Sequence, residues 1–158
     1  MPFRKEPPYS HGSVATSAVV LVNLGTPDAP TRKAVRRYLK EFLSDPRVVE
    51  IPRFVWWFIL NLIILPFRSG KSAKKYASIW SRDGSPLKVH TQKQANLLHA
   101  QLAERGHGDV KVVMAMRYGS PSLPEVLDQL QAQNVGRIAI LPAYPQYSGT
   151  TTASICDA

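Results

Sequence analysis

Three short segments of this chain carry the residue types that could hold a ligand. Tyr144, Gln146, Tyr147 and Ser148 follow the apolar run Ile138–Leu141, in a loop stiffened by Pro142 and Pro145. Arg117 and Tyr118 end the apolar run Val110–Met116, and Asn23, Leu24, Gly25 and Thr26 end the run that starts at Ala18. If each run is a strand, all three segments leave the carboxyl edge of one sheet, where open α/β folds bind their ligands. One arginine, three tyrosines and several hydroxyls around one crevice suit an aromatic or apolar ligand with a polar rim.

Other chemistries lack their residues. Leu24-Gly25-Thr26-Pro27-Asp28 has neither the glycine spacing of a dinucleotide loop nor that of a phosphate-binding P-loop. His11, His90, His99 and His107 are scattered, so neither a hydrolytic triad nor a converging metal-ligand set is expected. Cys156 is the single cysteine, which excludes an intramolecular disulfide.

The elements that must position these groups follow from hydrophobic periodicity. Ala18–Asn23 reads as a buried strand, and Pro30-Thr31 opens a helix running to about Leu43, stopped by Asp45-Pro46. Lys71–Trp80 reads as a helix and Ser81–Leu87 as a loop. A long helix covers about Thr91–Glu104, and Val110–Met116 is the second strand. Ser122-Leu123-Pro124 with Glu125 opens a helix to Gln133, and Arg137–Leu141 is the third strand, also expected to be buried. Strands separated by helices predict an α/β fold with a Rossmann-like parallel sheet.

Phe54–Leu65 needs separate treatment. Eleven of its twelve residues are apolar, and Pro66 is expected to close it. It is too short for a bilayer span, which takes about 20 residues. Leaving eleven such side chains in water would cost on the order of 15–30 kcal/mol, more than a domain's net stability of about 5–15 kcal/mol. It is therefore either a core or dimer helix, or an apolar lip against a membrane surface or a flat ligand. Trp56, Trp57 and Phe58, followed by Arg68, Lys71, Lys74 and Lys75, suit an anionic interface.

The 158 residues allow one domain with a real core, and 44% hydrophobic with 20% charged residues excludes a disordered chain. Residues 1–17 read as a flexible arm without an apolar signal-peptide region, leaving 18–158 as the domain. The net charge of +9 favours anionic partners. No interleaving of aromatic and basic residues on a sheet face supports nucleic-acid binding.

Val20–Pro27, Asp83-Gly84-Ser85-Pro86-Leu87, Met116-Arg117-Tyr118 and Tyr144-Pro145-Gln146-Tyr147-Ser148 occur here in the order seen in ferrochelatases. From about Ala18 onward the chain resembles the Gram-negative bacterial members. That resemblance implies a chelatase-like fold of two similar Rossmann-like domains, of which this would be the first, with the chain ending before the second. It implies insertion of Fe²⁺ into protoporphyrin IX to form protoheme in heme biosynthesis. The substrates would be Fe²⁺ and the porphyrin, with no tightly bound cofactor.

The resemblance also assigns residues. Arg117 and Tyr118 match a supporting pair implicated in metal handling, opposite a catalytic histidine that the family carries, with an acidic glutamate, in the second domain. Leu24, Tyr76, Ser85, Tyr144, Gln146, Tyr147 and Ser148 match porphyrin-contacting positions, and Trp56, Trp57 and Phe58 fall in the lip. Gly149 stands where some animal members carry a [2Fe–2S] cysteine, so no cluster is expected at this end. A cytoplasmic enzyme, peripheral at the inner membrane, is the expected setting, and this chain alone is expected to be inactive. A non-catalytic tetrapyrrole-binding or small-molecule-binding module of the same half-fold is the alternative.

Overall fold

A computed structural model describes residues 16–158. The arm expected at 1–17 lies largely outside them, and its last two residues, Thr16 and Ser17, already belong to the first strand. Three parallel strands form one sheet in the order β2-β1-β3, with β1 Thr16–Gly25, β2 Lys111–Tyr118 and β3 Val135–Pro142. The α/β parallel sheet predicted from the alternation of elements is what the chain forms. Strand order reverses about β1, which puts the carboxyl ends of β1 and β3 at the switch point.

The two faces of β1 are sorted by its two-residue period. Ala18, Val20 and Val22 join Ala115 beneath α5 (Leu123–Ala132), packing on Leu123, Val126 and Leu130, with Ile155 in the same cluster. Leu21 faces the other way and joins Met114, Met116 and Ala95 of α4 (Pro86–Glu104). The Ser122 capping box opens α5 as expected, Ser122 and Glu125 each satisfying the other's backbone N–H. The predicted start of α4 is corrected from about Thr91 to Pro86: Ser85 caps the helix and Pro86 occupies its first turn, where a missing N–H costs nothing.

The expected burial of β3 is also corrected. Residues 136–141 are all exposed, including Ile138, Ile140 and Leu141. The strand pairs with β1 on one side only, and among the described residues no strand covers its other edge.

α1 (Arg32–Ser44) is capped by Thr31, buries Ala34, Val35 and Tyr38, and turns Lys33, Arg36, Arg37 and Lys40 to solvent. A continuous helical stretch packs against it: α2 (Arg53–Phe58), a π-helical segment Ile59–Ile64, and α3 (Leu65–Ile79). Pro66 does not close the apolar run. The wider π turns before it, seen in the Leu65 N–H reaching back to the Leu60 carbonyl, absorb the missing donor and the ring, and the helix continues. Leu60, Leu65, Ser69 and Ala73 are buried on one side of this stretch. Phe54, Val55, Trp57, Phe58, Leu62, Ile63 and Phe67 remain exposed, so the segment is not a core helix within this chain. Among the described residues no helix is long and apolar enough to cross a membrane.

Candidate functional site

Arg117 and Tyr118 sit where the sequence predicts, at the carboxyl end of β2, and they meet there in a polar cluster centred on Asp45. Asp45 is the C-cap residue of α1, with a side chain only 8% exposed. Its Oδ2 accepts from Arg117 Nη2 at 2.8 Å, from the Tyr118 hydroxyl at 2.7 Å and from the Ser154 hydroxyl at 2.8 Å. Its Oδ1 accepts the Arg47 N–H at 2.8 Å. Burial alone would raise the Asp45 pKa, but the hydrogen bonds from Tyr118, Ser154 and Arg47, with the Arg117 charge, hold it below the usual carboxylate range.

Arg117 is fixed at a second point. Its Nε donates to the Ser154 carbonyl at 2.7 Å and hydroxyl at 2.8 Å, and its guanidinium carbon lies 4.7 Å from the Tyr118 ring centroid. Tyr118 is 1% exposed, and burial pushes its pKa up to about 12. The residue is a floor beneath the strand ends rather than an open wall. Phe42 covers it edge-on at 5.1 Å, and the aromatic contacts continue through Tyr38, Tyr76 and Trp80. Tyr38 is the buried centre of this series. Its hydroxyl donates to the Gly25 carbonyl at 3.2 Å, and Tyr76, Tyr144 and Tyr118 all act electrostatically on it. The predicted residues Tyr76, directly, and Tyr118, through Phe42, are thus joined to a tyrosine outside the sequence-based set.

The other predicted residues are placed differently. Leu24 is half-buried near the end of β1, its N–H bound by the Asn23 side chain. Asn23 also donates to Thr91, tying the strand end to α4. Ser85 is buried with its hydroxyl engaged as the cap of α4. Ser148 likewise caps the terminal π turn Gly149–Ala153, exchanging hydrogen bonds with Thr151. Gln146 and Tyr147 are exposed. Tyr144 is half-buried against the α5 face of the sheet, and its hydroxyl, like that of Thr26, is buried without a hydrogen-bond partner. In the apolar stretch, Trp56 turns inward, its indole N–H donating to the Leu43 carbonyl at 2.6 Å, while Trp57 and Phe58 point out.

Asp45, Ser154, Tyr38 and Glu41, which accepts the Gly119 N–H, were absent from the sequence-based set. Asp45 carries only a local signal, that of a helix stop, since its partners lie 72, 73 and 109 residues away. Among the described residues no group of three or more histidine, cysteine, aspartate and glutamate side chains could hold a metal ion.

A sequence model of the ferrochelatase family matches residues 16–158. Over all 158 residues the chain is 76% identical to a ferrochelatase of Janthinobacterium sp. (strain Marseille) and 73% identical to one of Herminiimonas arsenicoxydans, covering 43% of each. A ferrochelatase of Dechloromonas aromatica is 63% identical over 155 residues, or 98% of this chain and 42% of the relative. The chain therefore spans less than half the length of these relatives.

Proposed function

Because this chain belongs to the ferrochelatase family, we propose that it forms the N-terminal, porphyrin-cradling half of an enzyme that inserts Fe²⁺ into protoporphyrin IX. The observation that carries the reading is the convergence at the sheet's carboxyl edge. Arg117 and Tyr118 are held rigidly at the end of β2, and Tyr144 leaves β3 within the field of Arg117. Leu24 lies one residue before the end of the central strand, and Gln146 and Tyr147 are exposed on the loop beyond β3.

The chemistry divides accordingly. A porphyrin is a flat apolar disc with two propionates, so it needs apolar and aromatic walls with a few donors at its rim. Leu24, Tyr76, Tyr144 and Tyr147 provide such walls, and Gln146 is the exposed donor on the loop beyond β3, while Ser85 and Ser148 act through the caps they form rather than as free rim donors. Arg117 and Tyr118 lie below, on the side from which the metal would be handled. Metal insertion must also remove two pyrrole protons, and the base for that step is assigned to the second domain. The 158-residue chain alone is accordingly expected to bind porphyrin without metallating it.

The exposed apolar stretch supplies the lip. Phe54, Trp57, Phe58, Leu62, Ile63 and Phe67 face outward, and Arg68, Lys71, Lys74 and Lys75 follow on the same helical stretch. This pairing favours peripheral attachment to the cytoplasmic face of an anionic membrane, from which a hydrophobic porphyrin would enter.

The test is to join this chain to the rest of the Janthinobacterium sp. relative and assay Fe²⁺ or Zn²⁺ insertion. Activity in the fusion, with porphyrin quenching of Trp57 fluorescence but no insertion by the 158-residue chain, is expected. A fusion that folds and binds porphyrin but never metallates it would refute the enzymatic reading and favour a non-catalytic tetrapyrrole-binding module.

A further inference from the structure

We propose that Asp45 is a positioning residue for metal insertion, fixing both the direction and the charge of the Arg117–Tyr118 pair; the inference rests on the enzymatic reading above. Three donors from two separate elements converge on one oxygen of Asp45: Arg117 Nη2 at 2.8 Å and Tyr118 at 2.7 Å from β2, and Ser154 at 2.8 Å from the helical turn Ser154–Cys156. Donor accounting then fixes the pair. A tyrosine has one hydroxyl proton, and that of Tyr118 is taken up within the cluster, with Asp45 Oδ2 at 2.7 Å and Ser154 Oγ at 3.0 Å, so its oxygen can present only lone pairs to anything else. Arg117 spends Nε–H on Ser154 and one Nη2–H on Asp45, and among the described residues its other N–H groups have no acceptor. Its charge is balanced by a carboxylate in direct contact, which lowers the repulsion that an unpaired guanidinium would exert on an approaching divalent cation.

The anchor itself is rigid. Asp45 ends α1 in extended conformation, and its second oxygen is held by the Arg47 N–H at 2.8 Å. Arg47 in turn pairs with Asp157, just beyond Ser154 in the chain. The carboxylate thus fastens the end of β2 and the helical turn Ser154–Cys156 to α1 without touching the exposed loop residues. A group that acts through others in this way should affect the rate of the chemical step more than porphyrin affinity.

The experiment compares Asp45→Asn and Asp45→Glu in the fusion described above. Asp45→Asn is expected to lower kcat by about 10- to 100-fold with the porphyrin KM within about threefold and near-ultraviolet circular dichroism retained; Asp45→Glu should recover part of the loss. An unchanged kcat, or a loss confined to KM, would overturn the proposal. Should Asp45→Asn fail to fold, Ser154→Ala removes one donor to Asp45 and one acceptor of the Arg117 Nε–H without altering α1. It should lower kcat several-fold at constant KM, and an unchanged kcat there would likewise overturn it. A second readout separates this inference from the enzymatic reading. In the 158-residue chain, the Arg117 Nε–H proton resonance should be slowly exchanging and should broaden in Asp45→Asn. If the unsubstituted fusion is inactive while this resonance responds, the enzymatic reading fails and the positioning of Arg117 by Asp45 stands. A resonance indifferent to Asp45→Asn refutes the positioning itself.

Discussion

Gly25 and Tyr118 are paired across the β1–β2 ladder so closely that a Cβ on Gly25 would lie 1.8 Å from the Tyr118 carbonyl oxygen. The next turn repeats the arrangement in reverse, with a Cβ on Gly119 falling 2.5 Å from the Thr26 carbonyl oxygen. Both glycines have positive φ, 115° and 88°. The chain segments leaving β1 and β2 therefore run side by side in backbone contact, which fixes Leu24 relative to Arg117.

Gly25→Ala is accordingly expected to destabilise the fold by at least about 3 kcal/mol, from left-handed strain and from overlap with a backbone that cannot retreat. Gly70→Ala is the control. Gly70 lies within α3, and a Cβ there meets nothing within 4 Å. That substitution should raise stability by about 0.5–1 kcal/mol through helix propensity alone. Urea midpoints for the two variants, one shifted down and one slightly up, check both.

A second expectation concerns acid. The Asp45 carboxyl is held below its ordinary range, because the hydrogen bonds and the Arg117 charge outweigh the upward push of burial. A folded-state pKa below the unfolded value of about 3.9 means that the stabilisation is present above that pH and is lost as pH falls through the folded pKa. The melting temperature should therefore drop below about pH 4, and the drop should be shallower in Asp45→Asn. Glu125 and Asp157, also lowered, keep their own share in the variant. An identical acid profile in wild type and Asp45→Asn would contradict the network.

These two cases mark how far the sequence could be read. Alternation of apolar runs and helix caps locates the three strands of the described residues and their parallel sheet, because strand period and capping are local properties. The exposure of β3 is not legible in the sequence, because apolarity says what a strand needs, while exposure depends on what lies beside it. The extent of α3 is not legible either, because a proline breaks an α ladder but not a π one. Arg117 and Tyr118 were legible from strand position and family motif. Asp45, Ser154 and Tyr38 were not, because their roles arise from contacts made across the fold. Ser85 and Ser148 matched ligand-contacting positions, yet both hydroxyls are engaged in helix capping.

Alkali provides a third check. Burial is the leading cause that raises the pKa values of Tyr38, Tyr76, Tyr118 and Tyr144 above the ordinary tyrosine value. For an acid whose folded pKa is raised, stability is intact below the unfolded value of about 10 and is lost as pH climbs above it. Absorbance at 295 nm should therefore show a delayed group of tyrosines whose ionisation coincides with loss of the circular dichroism signal. Tyr38→Phe should lower stability at pH 7 by about 0.5–1.5 kcal/mol, the worth of its bond to the Gly25 carbonyl, and reduce the alkaline loss. Early ionisation of all four in the folded chain would contradict the buried cluster.

The adjacent tryptophans should behave oppositely, which tests the lip directly. Trp56 is bound to the Leu43 carbonyl and anchors α2 to the end of α1. Trp57 is 57% exposed and forms an outward aromatic strip with Phe58 and Phe54, at centroid distances of 5.0 and 5.1 Å along the strip. Trp56→Ala should lower the melting temperature, since it empties a packed site and orphans a carbonyl. Trp57→Ala should leave the melting temperature unchanged but weaken binding to phosphatidylglycerol-containing vesicles, by roughly tenfold or more if the ring's transfer is worth about 1.5–3 kcal/mol. Replacing Lys71, Lys74 and Lys75 with glutamine should weaken the same binding further, by about 1 kcal/mol per charge at low salt. Vesicle flotation with intrinsic fluorescence separates the two tryptophans, because only the exposed ring should shift to the blue on binding. Equal vesicle affinity in wild type and Trp57→Ala would remove the membrane from the account of this surface and leave the porphyrin as the only apolar partner proposed for it.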